Sequence, residues 1–222
     1  MFIIIGAALA AGIIGAFGPF VLARLPEPAE PAADKKLYSD LAKTPRLSLW
    51  LGLAAAIAAG VVASRIEPRA LIPVWVVMAG VGAWLAFIDW HTRLLPWFIV
   101  APFNVVLLLL VVLGAAIEGD WSILTRGLIA AAAVYALFRL SYHLIARSVG
   151  YGDVTISGGL GLALGTIGGM ETVWGLWLGF ALGAICSMVL ALLKVVDAKA
   201  FAFGPYLILG TLLGAVWSPA IF

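Results

Sequence analysis

The chain has 222 residues, of which 64% are hydrophobic and only 11% are charged, and its formal net charge is +2. A soluble domain is roughly one quarter charged, so this composition indicates an integral membrane protein and excludes an ordinary soluble enzyme. The small net charge gives no reason to expect a nucleic-acid partner, and the single cysteine, Cys186, excludes an intrachain disulfide and a multi-cysteine metal site.

Apolar stretches of roughly membrane-spanning length recur along the chain. They predict an all-α fold, a polytopic membrane helix bundle of about eight transmembrane helices in one domain, residues 1–222. Helices are expected because backbone groups in lipid must be satisfied within the segment, and the runs do not alternate as barrel strands do. The sixth span is short and rich in glycine. The predicted spans are Phe2–Ala23, Leu47–Ser64, Ala70–Ile88, Leu95–Ile117, Trp121–Arg147, Val154–Ile167, Thr172–Lys194 and Ala202–Phe222.

The first span has no basic residues before it and is too long for a signal-peptide core, so it is interpreted as a retained helix. The one long loop, residues 24–46, contains Pro26, Pro28 and Pro31 and then the basic residues Lys35, Lys36, Lys43 and Arg46. It is too short for a sizeable independent domain. It predicts an irregular segment leading into a short surface helix around Lys35–Ala42.

The basic residues predict the orientation of the bundle, because Lys and Arg are enriched in cytoplasmic loops. Eight spans place three basic residues, Arg65, Arg69 and Arg126, on one face and ten on the other. The richer face is predicted to be cytoplasmic, with both termini outside. Its basic residues are Arg24, Lys35, Lys36, Lys43, Arg46, Arg93, Arg139, Arg147, Lys194 and Lys199.

Two acids, Asp89 and Asp153, directly abut apolar segments, and the topology places both on the cytoplasmic face. A carboxylate near hydrocarbon is costly and points to function. Two carboxylates a few ångströms apart do not both ionise easily, because repulsion and desolvation keep a proton on one of them. The charged acid can take a proton from water while the neutral one donates a hydrogen bond to a carbonyl, which is the chemistry of an aspartic peptidase.

The residues around the acids fit this use. Gly150 and Gly152 permit a tight turn and close approach of a substrate backbone, Asp153 can also cap the following helix, and Pro96 suits the first turn of the helix after Asp89. Two further candidates, His91 and Arg93, could tune the field at Asp89. Structural explanations compete with these readings: a lone aspartate at a helix end is more often a cap, and His91 and His143 are more often surface residues than metal ligands, so no metal site is predicted. Ser157 is attributed to helix packing and not to a serine nucleophile.

Four stretches together resemble the type IV prepilin peptidases, which are GxGD-type membrane aspartyl peptidases related to archaeal preflagellin peptidases. They run nearly end to end and in family order. Asp89 and Asp153 match the family's catalytic pair. The stretches are Gly12–Phe17 followed by Arg24-Leu25-Pro26, Ile88–Pro96, Gly150–Val154, and Phe203–Leu207.

The resemblance implies a hydrolase of the bacterial cytoplasmic membrane, with its active site facing the cytoplasm, that removes the basic leader of prepilins or pseudopilins. The implied partners are these substrates and the lipid bilayer. The chain departs from the family in Thr155, where a lysine is common, and in Trp97, where many members carry an acid. Loop 24–46 is a short cytoplasmic loop without cysteine in place of a larger zinc-binding domain. No cofactor is expected, and S-adenosylmethionine only if the family's N-methyltransferase activity, which is doubtful here, is retained.

Two rival functions stay open. One is a proton-coupled transporter that uses the two acids as a relay, although further polar residues through the midplane and a repeat between halves would be expected and neither is visible. The other is an inactive scaffold of pilus assembly.

Overall fold

The computed structural model describes residues 1–27, 36–144, 150–193 and 202–217. Within these ranges the regular structure is entirely helical, as the sequence predicts. A short 3₁₀ turn at Arg69–Leu71 precedes the fifth α-helix. The α-helices are α1 (Phe2–Ala16), α2 (Gly18–Leu22), α3 (Tyr38–Ala42), α4 (Leu47–Ala63), α5 (Ile72–Thr92), α6 (Trp97–Glu118), α7 (Ser122–Leu144), α8 (Tyr151–Ile167), α9 (Gly169–Leu192) and α10 (Gly204–Val216).

Five helical segments of the described chain are long and apolar enough to cross a membrane. The helices α4 and α10 are apolar but shorter, with 17 and 13 residues. The chain is therefore a multi-pass helical membrane protein by length and composition, and the predicted number of eight spans stays a prediction. The five segments are Phe2–Leu22, Arg69–Thr92, Trp97–Glu118, Ser122–Leu144 and Gly169–Leu192.

Two helices form the inside of the bundle. Helix α5 packs against α1, α4, α6 and α10, and it buries Trp75, Met78 and Leu85 completely. Helix α8 packs against α6, α7, α9 and α10, and most of its 17 residues are buried. Because α8 is largely surrounded by other helices, most of its small residues face protein. This explains why the sixth predicted span is rich in glycine and unlike a lipid-facing helix.

Glycines allow the helices to approach closely, as expected from their abundance in the sequence. Gly161 and Gly165 of α8 face the backbone of α7, and Gly127 of α7 faces the backbone of α8. Two glycines of α10, Gly210 and Gly214, pack in the same way on α9. Where a glycine meets another backbone, no side chain can be added without moving a helix.

Within the long loop, Glu27 is joined to the start of α3. Its carboxylate oxygens accept hydrogen bonds from the backbone N–H groups of Tyr38 and Ser39, at 2.9 and 2.8 Å, at the start of α3. Desolvation raises the pKa of Glu27, but the hydrogen bonds from Ser39 and Tyr38 outweigh it and bring the pKa below its usual value. The predicted surface helix is present from Tyr38 to Ala42, and Lys35 lies outside the described residues.

Several boundaries differ from the predicted spans in ways that affect the two acids. Helix α5 continues past Ile88 to Thr92, so Asp89 lies within its last turns. Helix α8 begins at Tyr151, so Asp153 lies in its first turn. Helix α10 begins at Gly204. In all three cases the helix boundary lies at polar or glycine residues and does not coincide with the end of the apolar run.

The packing of α10 on α9 yields a testable prediction. A Cβ atom on Gly210 would overlap the backbone of Gly175 and Gly179, so we expect Gly210→Ala to destabilise the protein by about 1–3 kcal/mol. The measurement is the midpoint of thermal unfolding in detergent. The control is Gly6→Ala, whose Cβ would meet nothing within 4 Å. Equal midpoints for the two variants would contradict the close contact.

Candidate active site

Asp89 and Asp153 line the same pocket, which has a volume of about 400 Å³. Both residues are buried, with relative exposures of 5% and 7%, although 64 positions separate them in the chain. The two carboxylates are close enough to interact electrostatically. The pocket is lined by Asp89, Arg93, Leu94, Leu95 and Trp97 on one side and by Gly150, Tyr151, Gly152, Asp153 and Thr155 on the other.

The carboxylate of Asp89 joins α5 to α10. Its Oδ2 atom accepts a hydrogen bond of 2.9 Å from the backbone N–H of Gly204, the first residue of α10. Pro205 follows and has no N–H of its own, so the N–H of Gly204 is one of the few donors at this helix end. A Cβ atom on Gly204 would lie 2.8 Å from the same oxygen. Only glycine therefore allows this approach without a shift.

The carboxylate of Asp153 folds back on its own helix start. Its Oδ2 atom accepts a hydrogen bond of 3.2 Å from the N–H of Gly150, while the carbonyl of Gly150 accepts from the N–H of Asp153. This reciprocal pair resembles a capping box, in which an acid in the first turn reaches back to the residue before the helix. The helix start also favours a negative charge at this place. The capping function weighed for Asp153 is thus present in the structure.

The segment between α5 and α6 forms the opposite wall of the pocket. Thr92 is buried, donates from Oγ1 to the carbonyl of Ile88 at 2.8 Å, and accepts from the N–H of Leu94 at 3.3 Å. Arg93 then adopts a left-handed backbone conformation with φ of 55°, which ends α5 and turns the chain into the pocket wall. The side chain of Leu95 packs so closely on Gly152 that a Cβ there would lie 2.9 Å from the Cβ of Leu95.

The remaining candidates occupy different places. Pro96 precedes the first residue of α6. Thr155 lines the pocket, and its hydroxyl donates to the carbonyl of Gly152 at 2.7 Å. His91 packs on Phe87 with ring centroids 4.4 Å apart, its Nδ1 lies 2.9 Å from the carbonyl of Phe87, and the residue is not among those lining the pocket. Of the two proposed tuning residues, Arg93 therefore lines the pocket and His91 does not.

Three neighbours of the site were not singled out by the sequence. Gly204 lies in the motif Phe203–Leu207, but the motif gave no indication that its N–H binds Asp89. Thr92 lies between the candidates His91 and Arg93 but was not itself predicted to belong to the site. Asn104 lies in an apolar helix, where its Nδ2 donates to the carbonyl of Thr155 at 2.8 Å. A single carboxamide in a long apolar run is a signal that could have identified Asn104.

The arrangement brings two buried carboxylates into one pocket. Each carboxylate receives a backbone hydrogen bond that fixes its orientation, and burial of both disfavours two simultaneous charges. One acid can then hold a proton while the other accepts one. Among the described residues, no three His, Cys, Asp or Glu side chains lie together in an arrangement that could hold a metal ion.

No protein-family model matches this chain, and neither a curated protein nor a solved structure shows significant similarity to it. The family resemblance therefore rests on the four motif stretches alone.

The hydrogen bond between Asp89 and Gly204 predicts a stability effect that is independent of any activity. Removing the acceptor in Asp89→Ala leaves a buried N–H unpaired, which costs about 1–3 kcal/mol. Asp89→Asn keeps an oxygen acceptor and should lose less. Thermal unfolding in detergent measures both, with Asp40→Ala as control, because the side chain of Asp40 is 60% exposed. A loss in Asp89→Ala no larger than in the control would contradict the bond.

Proposed function

We propose that this protein is a membrane aspartyl endopeptidase that cleaves the leader peptide of type IV prepilin-like proteins at the cytoplasmic face of a bacterial membrane. The observation that carries the proposal is the meeting of two buried carboxylates, from distant parts of the chain, in one pocket of a membrane helix bundle. The four motif stretches supply the substrate class, since acid pairs of this kind are not in themselves specific for prepilins.

In the proposed mechanism the acid pair catalyses direct hydrolysis. The ionised aspartate accepts a proton from a water molecule, whose oxygen forms a bond to the scissile carbonyl carbon, while the protonated aspartate donates a hydrogen bond to the carbonyl oxygen. The carbon–nitrogen bond then breaks and the leaving nitrogen receives a proton from the pair. No covalent enzyme intermediate forms. The pair titrates as a unit, so neither Asp89 nor Asp153 is assigned permanently as acid or base.

The topology proposed with this function has eight spans, with both termini outside and the pocket at the cytoplasmic face. Ten of the 13 basic residues then lie on that face. A prepilin would keep its charged leader in the cytoplasm and its apolar segment in the membrane. Its scissile bond would lie at the junction between the two parts, at the level of the acid pair.

The departures from the family motif bear on the details of the proposal. Thr155 replaces a common lysine, and its hydroxyl hydrogen bond to Gly152 stays within α8. No cation from position 155 therefore acts on Asp153. The proposal does not include methyl transfer, since nothing in the described residues bears on a site for S-adenosylmethionine.

The buried hydroxyl groups argue against the transporter alternative. Ser157, Thr166 and Thr211 are buried, but each donates to a carbonyl three or four residues earlier in its own helix. Hydroxyl groups satisfied in this way do not by themselves form a proton path between helices. A relay would need exchangeable side-chain groups that bond to one another from one helix to the next.

The direct test is cleavage of a prepilin in membranes by Asp89→Asn and Asp153→Asn. Either change removes half of the acid pair, so each should lower the cleavage rate by about 100-fold or more, whereas Asp40→Asn should match the unchanged protein. Substantial cleavage by either pair variant would rule out the mechanism. Binding without cleavage by the unchanged protein would support a scaffold, and proton-coupled uptake in liposomes would support a transporter.

The contact between Gly204 and Asp89 gives a finer test. Gly204→Ala places a methyl group 2.8 Å from Asp89 Oδ2, which is too close for a Cβ contact, so the carboxylate must shift from its position in the pair. We expect kcat to fall by about 10- to 100-fold, because misplacing a catalytic group by an ångström is enough for such a loss. The steady-state assay should include Gly6→Ala as control. An unchanged kcat in Gly204→Ala would show that the orientation set by α10 is unimportant.

A further inference from the structure

A second cavity, of about 360 Å³, opens directly beside the acid pocket between α6, α7 and α8. Three residues, Trp97, Tyr151 and Thr155, line both cavities. From this shared rim the second cavity continues along the helices and is mostly apolar. We refer to it as the apolar groove. Its walls beyond the rim are formed mainly by Asn104, Leu108, Leu128, Tyr135, Gly158 and Leu162.

The length of the apolar groove follows from its lining residues. On α6 they extend from Trp97 to Leu108, and on α8 from Tyr151 to Leu162. At about 1.5 Å per residue, each side is about 16 Å long. That is roughly half of the thickness of the hydrocarbon layer, about 30 Å. The groove therefore starts beside the acid pocket and is long enough to hold about half of a membrane-spanning helix.

The surface of the groove is suited to an apolar partner. Leu108, Leu128 and Tyr135 are 38%, 46% and 43% exposed, and they stand on either side of a floor that contains Gly158. A Cβ atom on Gly158 would meet only the Cβ of Tyr135, at 4.0 Å, so the space above this glycine is open. Unlike the glycines that contact another helix backbone, Gly158 leaves room for an additional chain.

One polar atom of the groove wall lacks a partner. The Oδ1 atom of Asn104 is buried and has no hydrogen bond among the described residues, while its Nδ2 is bound to the carbonyl of Thr155. The same oxygen packs against Gly159 of α8 and is enclosed by protein, so Asn104 joins α6 to α8 as part of the groove wall.

We infer that the apolar groove binds the apolar helix of the substrate, on the carboxyl side of the scissile bond. The inference deepens the proposed function and rests on it for the identity of the occupant. The order of polarity along the site matches that of such a substrate. Two carboxylates lie at one end and apolar side chains follow for about 16 Å, so a peptide with a basic segment before an apolar helix places its junction at the acid pair.

Site-specific cross-linking tests the location of the occupant without requiring turnover. The full chain carries Cys186→Ser and Asp153→Asn, with one cysteine added as Leu108→Cys or Leu128→Cys in the groove. The matched controls are Leu109→Cys and Ile129→Cys, which lie next in sequence, are 60% and 65% exposed, and do not line the groove. The probe is a synthetic peptide with a lysine-rich leader, a glycine and an apolar helix carrying one cysteine in its second turn, in phospholipid nanodiscs with a short bis-maleimide.

We expect several-fold more cross-linked product at the two groove positions than at the two controls. Equal or absent cross-linking at all four positions would overturn the inference. Phospholipid that copurifies in the groove and is not displaced by the probe would overturn it as well. Cleavage of the probe by the otherwise unchanged protein is measured in parallel. Cleavage without groove-selective cross-linking overturns the docking site alone, whereas groove-selective cross-linking without cleavage supports the docking site and overturns the peptidase.

A kinetic comparison provides a second readout. Leu108→Trp narrows the groove and should raise KM for the probe about tenfold, as expected when an apolar pocket loses fit. Leu109→Trp adds the same bulk outside the groove and should leave KM unchanged. A similar KM for the two variants would overturn the inference.

Discussion

The hydrogen bond from the N–H of Gly204 to the carboxylate of Asp89 is the interaction on which the site depends. It joins the last turns of α5, the central helix, to the first residue of α10 across 115 positions of the chain. A buried carboxylate needs such a partner, because desolvation without a hydrogen bond is costly. The bond therefore fixes both the start of α10 and the orientation of Asp89 towards the pocket that it shares with Asp153.

Close packing through glycine brings the second acid to the same place. Helix α8 can lie inside the bundle because Gly161 and Gly165 let the backbone of α7 approach, and Gly152 lets its first turn rest against Leu95. These contacts set the depth and rotation of α8, and with them the position of Asp153. On the next turns of the same helix, Gly158 faces open space. The helix thus uses some glycines to close the bundle and one to leave the apolar groove open.

The sequence predicted the parts of this arrangement that depend on local chemistry. Apolar runs indicated the helical membrane fold, and the cost of a carboxylate beside such a run singled out Asp89 and Asp153. The parts that depend on packing were not predictable in the same way. Nothing near Asp89 indicates that its partner is the N–H of Gly204, a backbone group that any residue except proline carries. His91 shares a helix turn with Asp89 but packs on Phe87, because its rotation about α5 turns it away from the pocket. The number of spans is open for a related reason: α8 and α10 are short and largely enclosed by protein, so length and hydropathy describe them poorly.

The helix starts also bear on why two acids, and not two neutral caps, meet in this pocket. Each carboxylate accepts a hydrogen bond from a glycine at the start of a helix, and for that purpose alone an asparagine is about as good as an aspartate. Two aspartates differ from two asparagines mainly in the cost of desolvating their carboxylates and in the repulsion between two negative charges. Both effects oppose folding. Stability alone would therefore favour at least one neutral cap. The pair makes physical sense if the chain requires two carboxyl groups that exchange protons at one place, and a pocket that opens onto an apolar groove is where a membrane-bound peptide would meet them.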